Sequence, residues 1–215
     1  KKKAINAKKL FILGDLFEYW IGDEALFDEL PSRILNELSI LKQTGTEIFF
    51  MHGNRDFLIG DIFFEKSSVV KINDPYVIEH EKKKYILLHG DTLCTDDINY
   101  QQFRKIVRKK SWQVEFLSKP IKDRLKIAES VKNFSKNQKT RKSQKIMDVN
   151  NLAVQNVFRK YNYITMIHGH THRPRDHKHI IDKKKCLRYV LSDWSQNNDI
   201  SYLVCNGEGV TRKTL

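Results

Sequence analysis

The stretch Ile164-Thr165-Met166-Ile167-His168-Gly169-His170-Thr171-His172 decides how this chain is read. A short apolar run, the mark of a buried strand, passes directly into a glycine flanked by imidazoles. His170 and His172 stand at alternate positions, a spacing that can turn two imidazoles toward one site. The same arrangement occurs three times upstream. Leu10–Leu13 ends in Gly14-Asp15, Ile48–Met51 ends in His52-Gly53-Asn54-Arg55-Asp56, and Tyr85–Leu88 ends in His89-Gly90-Asp91. Glycine permits a tight turn and a close approach of backbone to ligand. In an open α/β sheet, ligands bind outside the carboxyl ends of the strands. These residues, far apart in sequence, are therefore expected at one rim. Taken singly, each has a plainer reading: Gly14-Asp15 as a turn, Asn54-Arg55-Asp56 as a turn with a surface ion pair, His89 as a hydrogen-bonded structural histidine. The conjunction of four favours a site.

Carboxylate, amide oxygen and imidazole make a mixed oxygen and nitrogen donor set. That set suits Mn²⁺, Fe or Zn²⁺ better than Ca²⁺, and the lack of thiolates speaks against a structural zinc site. One Asp can bridge two cations. Two metals about 3.5–4 Å apart activate water and stabilise a phosphoryl transition state. Asn and His are neutral ligands, so such a site keeps the positive charge that a phosphoester or pyrophosphate requires.

The 215 residues suffice for one ordinary domain with a core and leave room for an insertion. With 40% hydrophobic and 30% charged residues the chain is globular rather than disordered. No apolar run reaches the roughly 18 residues of a membrane span, and no secretory leader is apparent. Three scattered cysteines, Cys94, Cys186 and Cys205, fit a reducing compartment better than a disulfide framework. The net charge is +13, and it is concentrated. Residues 98–150 hold 15 Lys/Arg against 4 Asp/Glu, a net of +11, which leaves +2 for the rest. Within that segment Phe103, Ile106 and Val107, then Ile121, Leu125 and Ala128, recur at helical spacing, and Pro120 separates two helices. It reads as a basic, amphipathic helical insertion. The flanks, 1–97 and 151–215, read as an α/β core, with a helix over Ile34–Leu41 and further strands over Arg188–Leu191 and Ser201–Cys205.

The motif order resembles the calcineurin-like metallophosphoesterase superfamily, whose blocks run GD, GNH-D or a variant, H, then GHTH. A narrower likeness rests on longer blocks: Ile12-Leu13-Gly14-Asp15-Leu16-Phe17-Glu18, Trp20-Ile21-Gly22-Asp23, His52-Gly53-Asn54-Arg55-Asp56-Phe57-Leu58 and His89-Gly90-Asp91-Thr92-Leu93-Cys94-Thr95-Asp96-Asp97. Ile146-Met147-Asp148-Val149-Asn150 and His168-Gly169-His170-Thr171-His172-Arg173-Pro174 continue it. Over nearly the whole chain, in the same order, these are similar to the UDP-2,3-diacylglucosamine pyrophosphohydrolase family of lipid A synthesis.

The resemblance implies a four-layer α/β/β/α sandwich with a helical lid over 98–150 and a site holding two Mn²⁺. It implies hydrolysis of UDP-2,3-diacylglucosamine to 2,3-diacylglucosamine 1-phosphate and UMP, by metal-activated water attacking the α-phosphorus. The setting implied is peripheral, on the cytoplasmic face of the inner membrane. Asp15 would bridge the metals, with Asn54, His89 and His170 on one and His172 on the other. Asn54, Arg55, Asp97, Ser135, Lys142 and His170 match substrate-contacting positions, and Lys139 stands where the family usually has Asn. Leu191-Ser192-Asp193-Trp194 replaces the usual Leu-Gly-Asp-Trp. The family's first motif, a strand ending Asp-x-His, is not present; only Lys1 to Lys9 precede the first strand, so that motif is expected upstream and one metal site incomplete here. Arg55 beside Asn54 suits a leaving group that is already acidic, because it grips phosphate oxygens without donating a proton. Arg55 and His170 are the expected catalytic residues. An acylated substrate needs an apolar groove, and lysines flanking an amphipathic helix are drawn to anionic lipid. Phe103, Ile106, Trp112, Phe116, Leu117, Ile127 and Val131 are candidates either for that groove or for plain core packing. Two rivals fit parts of the pattern. One is a phosphoesterase of the same fold acting on nucleotides or nucleic acid, against which stands the lack of aromatic interleaving in the basic segment. The other is a metal-poor, non-catalytic scaffold.

Overall fold

A computed structural model of the chain describes residues 4, 6–141, 148–194 and 200–215, the side chains of 134–141 excepted. Contacts divide it into two compact units: Lys1–Ile72 with Ile98–Gln144, and Asn73–Asp97 with Lys145–Leu215.

In the first unit β1 (Lys9–Ile12), β2 (Glu47–Met51) and β3 (Val70–Ile72) form a parallel sheet in that order. Parallel neighbours need crossovers, which α1 (Glu29–Gln43) and α2 (Asp61–Ser67) supply. The apolar run of β2 is covered on both faces: Ile48, Phe50 and Met51 are 0% exposed. α1 stops where Thr44 Oγ1 donates back to the Leu41 carbonyl at 2.7 Å and Gly45 takes a φ of +93°. Phe17, Trp20 and Phe63 pack with centroids 4.7–6.1 Å apart and with tilted or edge-to-face rings, the geometry aromatic quadrupoles favour.

Of the basic segment, α3 (Ile98–Val107), α4 (Lys110–Leu117) and α5 (Ile121–Arg141) belong to this first unit. Pro120 directly precedes α5, where its missing N–H costs nothing. The apolar residues of these helices divide. Trp112 stacks on Phe116 at 5.0 Å and both join the core, as does Ile127. Phe103, Ile106 and Leu117 remain exposed. One buried side chain ties α5 down. Arg124, 4% exposed, donates to the Ile21 carbonyl at 2.6 Å and forks onto both carboxylate oxygens of Glu24 at 2.9 and 3.1 Å. A Cβ on Gly22 would occupy the place of that guanidinium.

The second unit is built on a five-stranded sheet, β4-β5-β6-β8-β7, from β4 (Tyr76–His80), β5 (Lys83–Leu88), β6 (Thr165–His168), β7 (Arg175–Ile181) and β8 (Lys184–Val190). β5, β6 and β8 run parallel, and β4 and β7 close the edges antiparallel. α6 (Asn151–Lys160) precedes β6 and buries Val154 and Phe158 in a cluster with Ile86, Leu88 and Met166. Asn150 caps α6, its Oδ1 accepting from the Leu152 and Ala153 amides at 2.8 and 3.1 Å. β9 (Ser201–Asn206) and β10 (Gly209–Thr214) form a hairpin.

Candidate functional site

Each unit gathers chemically active side chains at the carboxyl ends of its parallel strands. In the first unit β1 and β2 are neighbours, so the turns that follow them lie side by side. Gly14 and Asp15 both take positive φ, +86° and +56°. Asp15, with a Cβ, sits in the left-handed region, a strain typical of functional turns. Its Oδ1 accepts from the Arg55 amide at 2.9 Å, and its Oδ2 lies 3.6 Å from Arg55 Nε. A Cβ on Gly53 would collide with the carboxylate and amide nitrogen of Asp15, so only glycine lets the Asn54-Arg55 loop close on Asp15. Asp56, fully buried, braces both turns by accepting from the Leu16 amide at 2.7 Å and the Gly53 amide at 2.8 Å. Arg55 reaches Glu18 at 2.6 Å. From the end of α3, Arg108 donates to the Gly53 carbonyl at 2.8 Å and lies over the Phe57 ring at 4.9 Å.

In the second unit β5, β6 and β8 deliver three turns to one edge. His89, 1% exposed, follows β5, while His168 closes β6 and leads into Gly169-His170. The rings of His89 and His170 meet at 5.1 Å between centroids, with ring nitrogens within 4.8 Å of each other. The Gly169 amide donates to the His89 carbonyl at 2.9 Å and locks the two turns together. His170 and His172 both take left-handed φ, +67° and +54°. Burial, with help from His89, pushes the His170 pKa down to about 3, so its ring is neutral at physiological pH and able to offer a lone pair. His172 Nδ1 lies 3.5 Å from Asp193 Oδ2, in the turn after β8. Arg173 pairs with Asp148 at 2.6 Å, and Asn150 Nδ2 donates to Asp96 at 2.8 Å. These contacts place Asp148-Val149-Asn150 beside the turns it supports.

The first unit thus brings Asp15 together with Asn54 and Arg55, and the second brings His89 together with His170. Asp97 is half-buried, its amide donating to the Cys94 carbonyl at 3.3 Å. Ser135 and Lys139 fall on α5 with side chains outside the described residues, and Lys142 lies outside them altogether. Sequence reasoning passed over Glu18, Arg108 and Arg188. A lysine-rich helix gives no sign of which of its cations turns inward, and an arginine in a polar-looking strand gives none either.

His168 shows why one imidazole of the motif is not free to bind a ligand. Its Nε2 lies 2.9 Å from Arg188 Nη1, and its Nδ1 lies 2.9 Å from the Gly169 carbonyl. Arginine only donates, so Nε2 is the acceptor and the ring proton sits on Nδ1. Both nitrogens are in use.

Acidic, amide and imidazole donors on strand-end turns, carried by parallel sheets, define a metal-dependent phosphoesterase. The chain belongs to the calcineurin-like phosphoesterase family, which it matches over residues 1–174. It is similar to a UDP-2,3-diacylglucosamine hydrolase of Aromatoleum aromaticum, 43% identical over 206 residues covering 96% of this chain and 83% of the relative. It is 46% identical to the UDP-2,3-diacylglucosamine hydrolase of Proteus mirabilis over 194 residues, 90% of this chain and 80% of that one. Among solved structures, a novel archaeal phosphodiesterase aligns with 98% of this chain and 84% of its own at 12% identity and a TM-score of 0.47.

Proposed function

We propose that this protein hydrolyses the pyrophosphate bond of UDP-2,3-diacylglucosamine, yielding 2,3-diacylglucosamine 1-phosphate and UMP, as a step of lipid A synthesis. The observation that carries this reading is identity of 43–46% sustained over at least nine-tenths of the chain to hydrolases named for that substrate.

The residues fit a divalent metal. Asp15 offers a carboxylate, Asn54 an amide oxygen, and His89, His170 and His172 imidazoles; this is a set suited to manganese. The depressed pKa of His170 keeps it in the neutral form that coordinates. When bound, such cations supply Lewis acidity toward the phosphoryl oxygens and acidify the attacking water. Arg55 presents a planar guanidinium fork matched to phosphate oxygens. Asp15 and Glu18 already hold that fork, one at its Nε and the other at its Nη1, so little ordering is left for substrate to impose. An arginine gives up no proton usefully, which suits a sugar 1-phosphate, a leaving group acidic enough to depart as an anion. Attack therefore falls on the α-phosphorus. Asp97, Ser135, Lys139, Lys142 and His170 complete the substrate contacts in this reading.

The substrate is a lipid, and the same proposal places the protein peripherally on the cytoplasmic face of the inner membrane. Among the described residues no helix is long and apolar enough to cross a membrane. Exposed Phe103, Ile106, Val114, Leu117 and Ile121 share α3–α5 with the lysines and arginines of the basic segment, the pairing that favours anionic lipid.

Hydrolysis of UDP-2,3-diacylglucosamine by the purified protein with Mn²⁺ in H₂¹⁸O tests this. The label is expected in UMP and not in the sugar phosphate. Label in the sugar phosphate would overturn the attack at the α-phosphorus, and absence of UMP formation would overturn the substrate.

A further inference from the structure

Arg188 is 5% exposed, in the middle of β8, and β8 pairs with β6 on one side and β7 on the other. A guanidinium is costly to bury, and a hydrophobic residue of similar volume is often tolerated or better at such a place. This one is kept among imidazoles. Its Nη1 donates to His168 Nε2 at 2.9 Å and its Nε to His179 Nε2 at 3.3 Å. His168, 0% exposed, is thereby left with its proton on Nδ1, 2.9 Å from the Gly169 carbonyl. That carbonyl also accepts from the Thr171 amide at 2.8 Å. The peptide it belongs to leads directly into His170, whose φ is +67°. Gly90 seals the same edge of the His168 ring: a Cβ there would stand 2.9 Å from Nδ1 and 3.0 Å from the Gly169 oxygen.

We infer that Arg188 is a positioning residue for the His170 turn, acting by fixing His168 in the Nδ1–H tautomer so that its ring clamps the Gly169 carbonyl. The inference rests on the reading of His170 as a metal ligand. Nothing in it requires Arg188 to touch substrate or metal. The chain of contacts is guanidinium, imidazole, peptide carbonyl, ligand turn. Without the guanidinium, Nε2 loses the donor that fixes it as an acceptor, and the proton is no longer held to the nitrogen that serves the turn.

The test is Arg188→Met, with Arg188→Lys as the conservative partner, in the full chain. Two readouts are taken: the His168 tautomer, from long-range ¹H–¹⁵N correlations in histidine-labelled protein, and the Mn²⁺ dissociation constant, from the signal of free Mn²⁺ in an EPR titration. Arg188→Met is expected to lose the Nδ1–H signature and to weaken Mn²⁺ binding about 10–100-fold, the usual effect of removing a group that orients a ligand. Arg188→Lys keeps a charged donor and is expected to restore the tautomer and most of the affinity. A folded Arg188→Met protein that keeps the tautomer, or binds Mn²⁺ within twofold of wild type, would overturn the inference. Should that variant not fold, Arg188→Leu carries the same two readouts. Wild-type protein that binds no Mn²⁺ would instead overturn the assignment of His170 as a ligand, and the tautomer would still report on Arg188 alone.

Discussion

At the scale of single residues, the strand-end turns of the first unit depend on an atom that is missing. Gly53 carries no Cβ, and Asp15 occupies the place where one would stand. Gly53→Ala is expected to push the Asn54-Arg55 loop off Asp15. The overpacking costs about 1–3 kcal/mol, and Mn²⁺-supported kcat/KM falls by at least about tenfold, in line with the loss of a group that orients a ligand. Urea unfolding and steady-state assay measure the two effects. A variant with wild-type activity would show that the turn tolerates the extra carbon. The neighbouring carboxylate illustrates the complementary case. The cost of burying Asp56 is offset by two backbone amides, from Leu16 and Gly53, that supply its hydrogen bonds. In the sequence Asp15 and Asp56 both read simply as acids in glycine-containing turns.

At the scale of elements, β7 carries a pH dependence. Burial pushes the His177 pKa down to about 4, with Arg188, His179 and Arg175 adding repulsion and Asp148 opposing it. The ring is held neutral in the folded chain, while the unfolded chain binds its proton near 6.5. The associated stability is therefore full above about pH 6.5 and is lost as pH falls toward 4. Urea midpoints measured from pH 7 to 4 are expected to fall, and His177→Gln to flatten part of that fall. Equal slopes for both proteins would refute it. The same strand shows what was legible beforehand. Ile48–Met51, Tyr85–Leu88 and Ile164–Ile167 are legible as strands because they are continuous apolar runs, the pattern of strands buried on both faces of a sheet. β7, an edge strand reading Arg-Asp-His-Lys-His-Ile-Ile, opens on five polar residues and offers no apolar run of strand length. The two-residue turns at Glu81-Lys82 and Asp182-Lys183 adopt φ of +48° to +64° without the Asn-Gly or Asp-Gly pair that signals a hairpin, so β4 and β7 went unseen. The donors at strand ends were legible because glycine marks each turn; the residues that orient them were not, since Arg188 and Arg108 act through tertiary contacts with no fixed spacing.

At the scale of the whole molecule, the notable quantity is where the charge lies. Residues 98–150 carry a net +11 of a total +13, and helices α3–α5 of that segment expose Phe103, Ile106 and Ile121. Flotation with vesicles containing anionic phospholipid is expected to carry the protein at low salt and to release much of it at about 1 M salt, where the screening length shrinks to about 3 Å. Neutral vesicles are expected to carry less at either salt. Binding indifferent to both lipid charge and salt would refute the proposed surface attachment.

The chain passes between its two units three times, since Asn73–Asp97 separates the two segments of the first and Ile98–Gln144 the two segments of the second. For a polypeptide leaving the ribosome this imposes a delay. The β1–β3 sheet emerges early, yet Trp112, Phe116 and Arg124, which complete its core and anchor Glu24, are made only after β4 and β5 have been translated. Nascent chains halted near residue 97 present an unfinished apolar bed, a natural target for chaperones.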